Sequence, residues 1–290
     1  MSLSVIVLLT LVVIVNGIFA LLFLKDVKTH WRETQAEPGN PIAMAFSQFV
    51  IYFLSTMGIS DFAIGASVYP NLRWVEAKKL PGTLNTACVI PVATMALCYV
   101  SSVKVGLWTL IIPIVAQILG AYISPKYVAK LPARTIKGLV ITGLIVSGAM
   151  ILAGLFGILP SGGDAYELSL GKLVLLGVLS FIYGALNNMG IGSYPLTMAT
   201  VYALGLSPIA AFPIMMGACT FSVPVGSMQF VKLQSYSRKI TLYSATFGVI
   251  GVLVAAFVVT SLDMTLLKWL AVLVIVYSAV TMMLSLRKRA

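Results

Sequence analysis

Long stretches without a charged side chain dominate this chain. They run over 1–24, 38–60, 80–103, 105–125, 138–163, 173–231, 240–262 and 269–286. A membrane-spanning helix needs about 20 consecutive apolar residues, so most of these stretches are long enough to cross a bilayer once. Charged residues make up 9% of the chain, against roughly 25% in an ordinary water-soluble domain. The sequence therefore predicts an all-α polytopic membrane protein.

A short motif occurs twice, once in each half of the chain. Met57-Gly58-Ile59-Ser60-Asp61-Phe62 is similar to Met189-Gly190-Ile191-Gly192-Ser193-Tyr194, and a proline follows each copy at the same distance, at Pro81 and Pro213. Glycine weakens a helix. Helices that break at corresponding places in two hydrophobic halves are typical of transporters built from repeats. We therefore expect two repeats, each with a broken or re-entrant helix pair.

The stretch 173–231 is far longer than one crossing requires and contains several glycines and prolines, which predicts a turn inside the membrane or at its surface. The expected elements are half-helices at 42–56 and 61–70 and a crossing at 83–101, then half-helices at 173–188 and 194–204 and a crossing at 209–230. Backbone outside a helix is tolerated at membrane depth only inside protein or beside a watery cavity. The two breaks, between residues 56 and 61 and between residues 188 and 194, should therefore meet in the protein interior.

The basic residues predict the orientation in the membrane, because short cytoplasmic loops collect Lys and Arg. If the first helix crosses inward from outside, every Lys and Arg except Lys104, Lys172 and Lys268 falls on the cytoplasmic side. The chain then makes seven crossings and two hairpins in the plasma membrane, ends in the cytoplasm, and has repeats that are inverted. The expected parts are an N-terminal helix with a basic loop over 1–41, a first repeat over 42–158 and a second over 159–290. A retained first helix is favoured over a cleaved signal.

Glycine-containing segments in both halves follow the pattern of a known family. They are Gly190-Ile191-Gly192, Gly205-Leu206-Ser207-Pro208, Gly120-Ala121, and Gly248 with Gly251. In these features the chain resembles the TauE/SafE sulfite-exporter permeases, also called TSUP, over about 42–156 and 171–286. It differs where Ser60-Asp61 replaces further glycines, and in the added first helix and loop 25–41. The resemblance implies transport of small sulfur-containing anions, such as sulfite or sulfonates.

The two breaks have the chemistry of an anion site. A helix start offers unpaired backbone N–H groups and the positive end of the helix dipole, so it can hold an oxyanion without a buried cation. The predicted substrate-binding residues are Gly58, Ile59, Ser60, Asn85, Asn187, Asn188, Gly190, Gly192 and Ser193. The alternative is that the glycines permit close helix packing and the asparagines form interhelical hydrogen bonds.

Asp61 is the one acidic residue deep in a predicted membrane segment. A charge at that depth is costly, and such residues usually face a cavity or a partner. A carboxylate would repel an anionic substrate, so within the pocket Asp61 would carry a coupling proton or bind a cation. The alternative is that Asp61 only caps its half-helix. The sequence favours neither.

Other classes of function fit less well or equally well. An enzyme would need a nucleophile with a base, or a metal cluster, and one His with scattered cysteines at Cys88, Cys98 and Cys219 does not provide it. A passive anion channel or an accessory membrane subunit fits the same architecture. No cofactor, metal or nucleic acid is expected. The expected partners are a small anionic substrate, the lipid bilayer and a coupling proton or cation, and the oligomeric state stays open.

Overall fold

The computed structural model describes residues 3–57, 59–99, 105–159 and 162–257, together with helical positions 269, 272, 273, 276, 279, 280 and 283. The α-helices of the four continuous parts are α1 (Leu3–Thr29), α2 (Trp31–Ala36), α3 (Pro41–Thr56), α4 (Asp61–Asn71), α5 (Leu80–Tyr99), α6 (Leu107–Ile123), α7 (Pro125–Val128), α8 (Ala133–Leu155), α9 (Leu170–Asn187), α10 (Ser193–Ala203), α11 (Pro208–Lys232), α12 (Arg238–Tyr243) and α13 (Val249–Phe257). A 3₁₀ turn over Ala77–Lys79 precedes α5, and a π-helical segment over Ser244–Gly248 joins α12 to α13.

Within the described residues, seven helical stretches are long and apolar enough to span a membrane. They are Val5–Thr29, Ala77–Tyr99, Leu107–Val128, Ala133–Leu155, Leu170–Asn187, Pro213–Lys232 and Arg238–Phe257. The chain is therefore a multi-pass, all-α membrane protein, as the sequence predicts. The crossing expected over 269–286 lies largely outside the described residues.

The predicted half-helices are present, with one difference in length. α3 and α4 match the expected 42–56 and 61–70, and α10 matches 194–204. α9 has 18 residues, which is about 27 Å at 1.5 Å per residue. Because the hydrocarbon core is roughly 30 Å thick, α9 is longer than the predicted half-helix, and by length alone it could cross most of the core.

The chain makes the same turn at both breaks. The backbone N–H of Ile59 donates to the carbonyl of Leu54, and the N–H of Ile191 donates to the carbonyl of Leu186, both at 3.1 Å. In the second break Gly190 adopts a φ of 92°, a left-handed conformation that side chains other than glycine's rarely take. The repeated sequence motif therefore corresponds to a repeated backbone structure.

Each broken helix pair begins and ends on one side of the bundle. In the second repeat, the N–H of Gly163 donates to the carbonyl of Leu206 at 3.0 Å, and that of Ser207 donates to the carbonyl of Ala165 at 2.8 Å. In the first, Gly39 lies against Trp74, with the ring 3.1 Å from the position that a β-carbon would take. Both pairs are re-entrant hairpins.

The hairpins pack against helices of the opposite half. α6 packs along α9, and α13 packs along α3. At both contacts a glycine lets two backbones touch: a β-carbon would lie 2.0 Å from the carbonyl oxygen of Phe181 at Gly120, and 2.3 Å from that of Phe49 at Gly251. The two halves thus exchange equivalent contacts, and each half covers part of the other's hairpin.

α5 and α11, the corresponding long helices of the two halves, lie at the centre and pack against each other. Gly82 at the start of α5 contacts Phe230 near the end of α11, so the two helices are antiparallel. Corresponding helices that run in opposite directions make the halves inverted relative to each other. One hairpin therefore opens on the side where α11 ends, and the other opens where α11 begins.

A buried polar cluster attaches the N-terminal helix to the second half. The carboxylate of Asp26, near the end of α1, accepts hydrogen bonds from Gln234 at 2.8 Å, Tyr236 at 2.5 Å and Arg238 at 2.7 Å. The carboxylate of Glu37 accepts from the backbone N–H groups of Arg238 and Lys239 at the start of α12. These bonds stabilise the added N-terminal segment on the loop between α11 and α12.

Candidate functional site

A cavity of about 270 Å³ lies between the two breaks. The breaks contribute Ser55, Thr56, Ile59, Ser60, Asp61 and Phe62 from the first repeat, and Asn187, Gly192, Ser193, Tyr194 and Pro195 from the second. The breaks also touch each other, because a β-carbon on Gly192 would lie 3.9 Å from the hydroxyl oxygen of Ser60. Ser60 and Gly192 occupy the same position in the repeated motif, so the breaks meet through equivalent residues.

The remaining wall is mainly apolar and comes from the central helices and α8. α5 contributes Cys88, Val92, Met95 and Tyr99; α11 contributes Met216, Cys219 and Val223; α8 contributes Ser147 and Ile151. Cys88 and Cys219 lie near the middle of α5 and α11. Because these helices cross the full bundle, the cavity reaches about half its depth at the breaks, and it extends toward the end of α5, where Tyr99 lines it.

The structure brings six of the predicted residues to the cavity and leaves three outside its lining. Ile59, Ser60, Asp61, Asn187, Gly192 and Ser193 line it, whereas Asn85, Asn188 and Gly190 do not. Gly58 lies outside the described residues. The three predictions that place Asn85, Asn188 and Gly190 against substrate are therefore not supported by their position.

Asn85 holds Asn187 in place. The amide of Asn187 donates to the side-chain oxygen of Asn85 at 2.8 Å, and Asn85 donates to the backbone carbonyl of Asn187 at 3.2 Å. The side-chain oxygen of Asn187 then accepts from the backbone N–H of Ser193 at 3.0 Å. Asn187 therefore caps α10, while Asn85 is fully buried and positions that cap from the opposite repeat.

Asn188 points away from the cavity because successive helical residues are rotated by about 100°. Its amide donates to the carbonyl of Ala121 at 2.7 Å and to the hydroxyl of Ser124 at 2.8 Å. These bonds join the end of α9 to the end of α6. The interhelical alternative therefore describes Asn188 better than a role in substrate binding.

Asp61 and Ser193 occupy corresponding positions, and each is the first residue of a hairpin's second helix. The hydroxyl of Ser60 accepts from the N–H of Ala63 at 3.3 Å and caps α4. The carboxylate of Asp61 interacts with the Ser55 hydroxyl and with the backbone N–H groups of Asp61 and Phe62. Part of the Asp61 side chain remains accessible and lines the cavity. Asp61 is thus both a helix-start residue and a cavity residue.

Several cavity residues were not singled out by the sequence reasoning. Ser55 and Thr56 line the cavity, and they occupy the positions that Asn187 and Asn188 hold in the second copy of the motif, so a longer alignment of the copies would have found them. Cys219 has its sulfur 3.6 Å from the Ser193 hydroxyl. A cysteine in an apolar stretch carries no sequence signal of that proximity.

Gln117 supports the second break from α6. Its amide donates to the hydroxyl of Ser193 at 3.0 Å and to that of Ser222 at 3.1 Å, and the side chain is fully buried. The backbone carbonyl of Gln117 also touches Gly184 of α9. Gln117 therefore fixes the Ser193 side chain at the cavity wall through α6.

The charge of the cavity is set by a single group. Among the described residues that line it, Asp61 carries the one carboxylate, and none is Lys, Arg or His. Among the described residues, no three or more His, Cys, Asp or Glu side chains are grouped so that they could hold a metal ion. The arrangement is a mostly apolar chamber with helix starts and one acid.

Comparison of the chain with protein-family models, with curated proteins and with solved structures gives no match.

Gly192→Val is expected to weaken substrate binding at least tenfold without unfolding the protein. Gly192 has a φ of −55°, which a valine adopts without strain, and the nearest group to an added β-carbon is the Ser60 hydroxyl at 3.9 Å. The two added methyl groups would extend into the cavity between the breaks. Thermal unfolding and equilibrium binding of anions to the purified variant test this.

Gly171→Val is the matched control, because Gly171 lies on α9 with nothing within 4 Å of an added β-carbon. Unchanged binding in a stable Gly192→Val variant would move the substrate site away from the breaks and favour a packing role for this glycine.

Proposed function

We propose that this protein is a carrier of the plasma membrane that moves a small sulfur-containing anion, such as sulfite or a sulfonate, by ion-coupled alternating access. We also propose that it belongs with the TauE/SafE permeases that its glycine pattern resembles. The observation that carries the proposal is the cavity that both repeated breaks line at half the depth of the bundle. Binding at the interface of inverted repeats is the arrangement that alternating access uses.

The helix starts support an anionic substrate. α4 and α10 both begin at the cavity wall, so the positive ends of two helix dipoles face the same space. In the second break the Ser193 hydroxyl lines the cavity beside this positive end and none of the described acids lies there, while the side-chain oxygen of Asn187 accepts from the Ser193 N–H. An oxyanion is therefore best held at the start of α10, on the opposite repeat from Asp61.

The apolar wall supports a substrate with a carbon portion. Val92, Met95, Ile151, Met216 and Val223 line the cavity away from the breaks. Polar groups that fix orientation within a largely apolar wall are the common design of small-molecule sites. A small sulfonate has an anionic head for the helix start and an apolar body for this wall, so it suits the cavity better than a bare inorganic ion.

The orientation with the N-terminus outside is part of the same proposal. The first hairpin opens beside a group of basic residues in the short segments on the side where α11 ends, namely Arg73, Lys78, Lys79, Arg238 and Lys239. Short loops rich in Lys and Arg are typical of the cytoplasmic side. The hairpin of the second repeat then opens outward.

Counterflow in proteoliposomes tests the carrier. We expect vesicles preloaded with unlabelled methanesulfonate to take up labelled methanesulfonate several-fold faster than empty vesicles, because a loaded carrier returns faster than an empty one. Sulfite, thiosulfate, sulfate and acetate are compared in the same assay, and protein-free vesicles are the control. Equal uptake with and without preloading would indicate a passive channel. Absence of saturable binding and uptake for every anion would contradict the proposed function.

A further inference from the structure

Asp61 has no positively charged neighbour at the cavity. The titratable side chains that face it, from every helix that surrounds it, are Tyr52 of α3, Tyr69 of α4, Cys88 and Tyr99 of α5, Tyr194 of α10 and Cys219 of α11. Phenols and thiols are neutral at physiological pH. α8 faces the cavity with Ser147 and Ile151, which do not titrate. Within the described residues, an ionised Asp61 therefore meets no side-chain cation.

Two negative charges cannot share this chamber at low cost. The cavity is small and mostly apolar, so an anion at the start of α10 would interact with an ionised Asp61 through a medium of low polarity. When two negative groups lie close together in such a cavity, their repulsion favours protonation of one of the groups. A sulfonate is a very weak base, so the proton resides on Asp61.

We propose that Asp61 is protonated whenever the anion occupies the cavity, so that one proton crosses the membrane with each monoanion. This inference rests on the proposed function and deepens it by naming the coupling ion and the residue that carries it. On the loading side, hydronium transfers a proton to the Asp61 carboxylate and becomes water. On the release side the carboxylic acid returns the proton to water, and the anion leaves.

The empty state completes the cycle because Asp61 has partners for its ionised form. The Ser55 hydroxyl and the backbone N–H groups of Asp61 and Phe62 interact with its carboxylate, and the start of α4 stabilises a negative charge. Without substrate, no second negative charge among the described residues opposes the ionised form of Asp61. With substrate, repulsion between the charges favours the protonated acid. The alternation between these two states couples the proton to the anion.

Proton coupling is tested with methanesulfonate, which stays a monoanion at any physiological pH. In wild-type proteoliposomes, an inward proton gradient is expected to accumulate it by about tenfold per pH unit, the value for one proton per anion. An imposed membrane potential should leave the extent of accumulation unchanged, because anion and proton together carry no charge. Binding to the purified protein should weaken as pH rises, by about tenfold per pH unit once Asp61 ionises.

Asp61→Asn is expected to bind methanesulfonate with the same affinity at every pH, to lose accumulation driven by the proton gradient, and to make flux dependent on voltage. Asp61→Ser is a second neutral variant, and the second repeat carries Ser193 at the corresponding helix start. Asp164→Asn, which neutralises an exposed loop residue outside the cavity, should behave as wild type in all three measurements.

The outcomes separate the two proposals. If wild type shows no saturable binding or counterflow for methanesulfonate or sulfite, the proposed function fails. If counterflow is present but accumulation ignores the proton gradient, or if Asp61→Asn keeps the wild-type pH dependence, the coupling inference fails while the carrier remains. Loss of binding in both stably folded neutral variants also overturns the inference, because the neutral side chain is the form that should bind.

Discussion

Gly120→Ala is expected to prevent stable assembly of the bundle. A β-carbon at Gly120 would lie 2.0 Å from the carbonyl oxygen of Phe181 and 3.0 Å from the carbonyl carbon. Both atoms are backbone, so α6 and α9 would have to move apart along their whole contact. That movement also breaks the close approach at Gly184 and the Asn188 bonds to the end of α6. Overpacking costs about 1–3 kcal/mol where side chains can move, and we expect more here. Thermal unfolding in detergent is the measurement.

The control is Gly138→Ala on α8, where nothing lies within 4 Å of an added β-carbon. Alanine is a better helix former than glycine by about 1 kcal/mol, so this variant should be as stable as wild type or slightly more. Equal stability of the two variants would show that α6 and α9 do not touch at Gly120.

Asp26→Ala is expected to lower the free energy of unfolding by about 3–5 kcal/mol, the cost of leaving one member of a buried ion pair alone. The Arg238 side chain is 5% exposed, and its Nε lies 2.7 Å from the Asp26 carboxylate. The substitution would also remove the acceptor of the Gln234 and Tyr236 hydrogen bonds. Resistance to thermal or chemical unfolding, compared with wild type in the same detergent, measures the loss.

Two further variants test whether the buried charge causes the loss of stability in Asp26→Ala. Glu33→Gln removes the other carboxylate near Arg238, which is 3.5 Å away and 68% exposed, so it should change stability by less than about 1 kcal/mol. Asp26→Leu combined with Arg238→Met removes both charges and should be more stable than Asp26→Ala alone. A double variant as unstable as the single one would contradict the buried-charge explanation.

The helix limits of both hairpins follow from local sequence signals. Asn40 and Pro41 start α3, because Asn40 accepts from the N–H groups of Ile42 and Ala43 and proline suits the first helical position. Glycine and serine at the breaks, and Ser207-Pro208 at the start of α11, act in the same local way. Such signals involve a few neighbouring residues, so a single sequence contains all the information that they need.

The sequence was enough to locate the site, but not to predict which side chains face the cavity or which distant residues pair there. The motif identified both breaks, yet whether Asn187 or Asn188 faces the cavity depends on the rotation of α9, which its contact with α6 determines. Asn85 meets Asn187 across 102 positions of sequence, and Asp26 meets Arg238 across 212. In sequence, Arg238 is one more basic loop residue. These pairings depend on the packing of the two halves, which local patterns do not encode.

During synthesis, α3 leaves the ribosome long before its partner α13 exists. The backbone face of Phe49 that receives Gly251 in the finished protein must first meet lipid or another inserted helix. A chain interrupted before α13 therefore leaves this face of α3 uncovered, although α4 of the same hairpin already packs against α5 and α8. The contact is consequently completed late, when α13 packs onto a hairpin that was made much earlier.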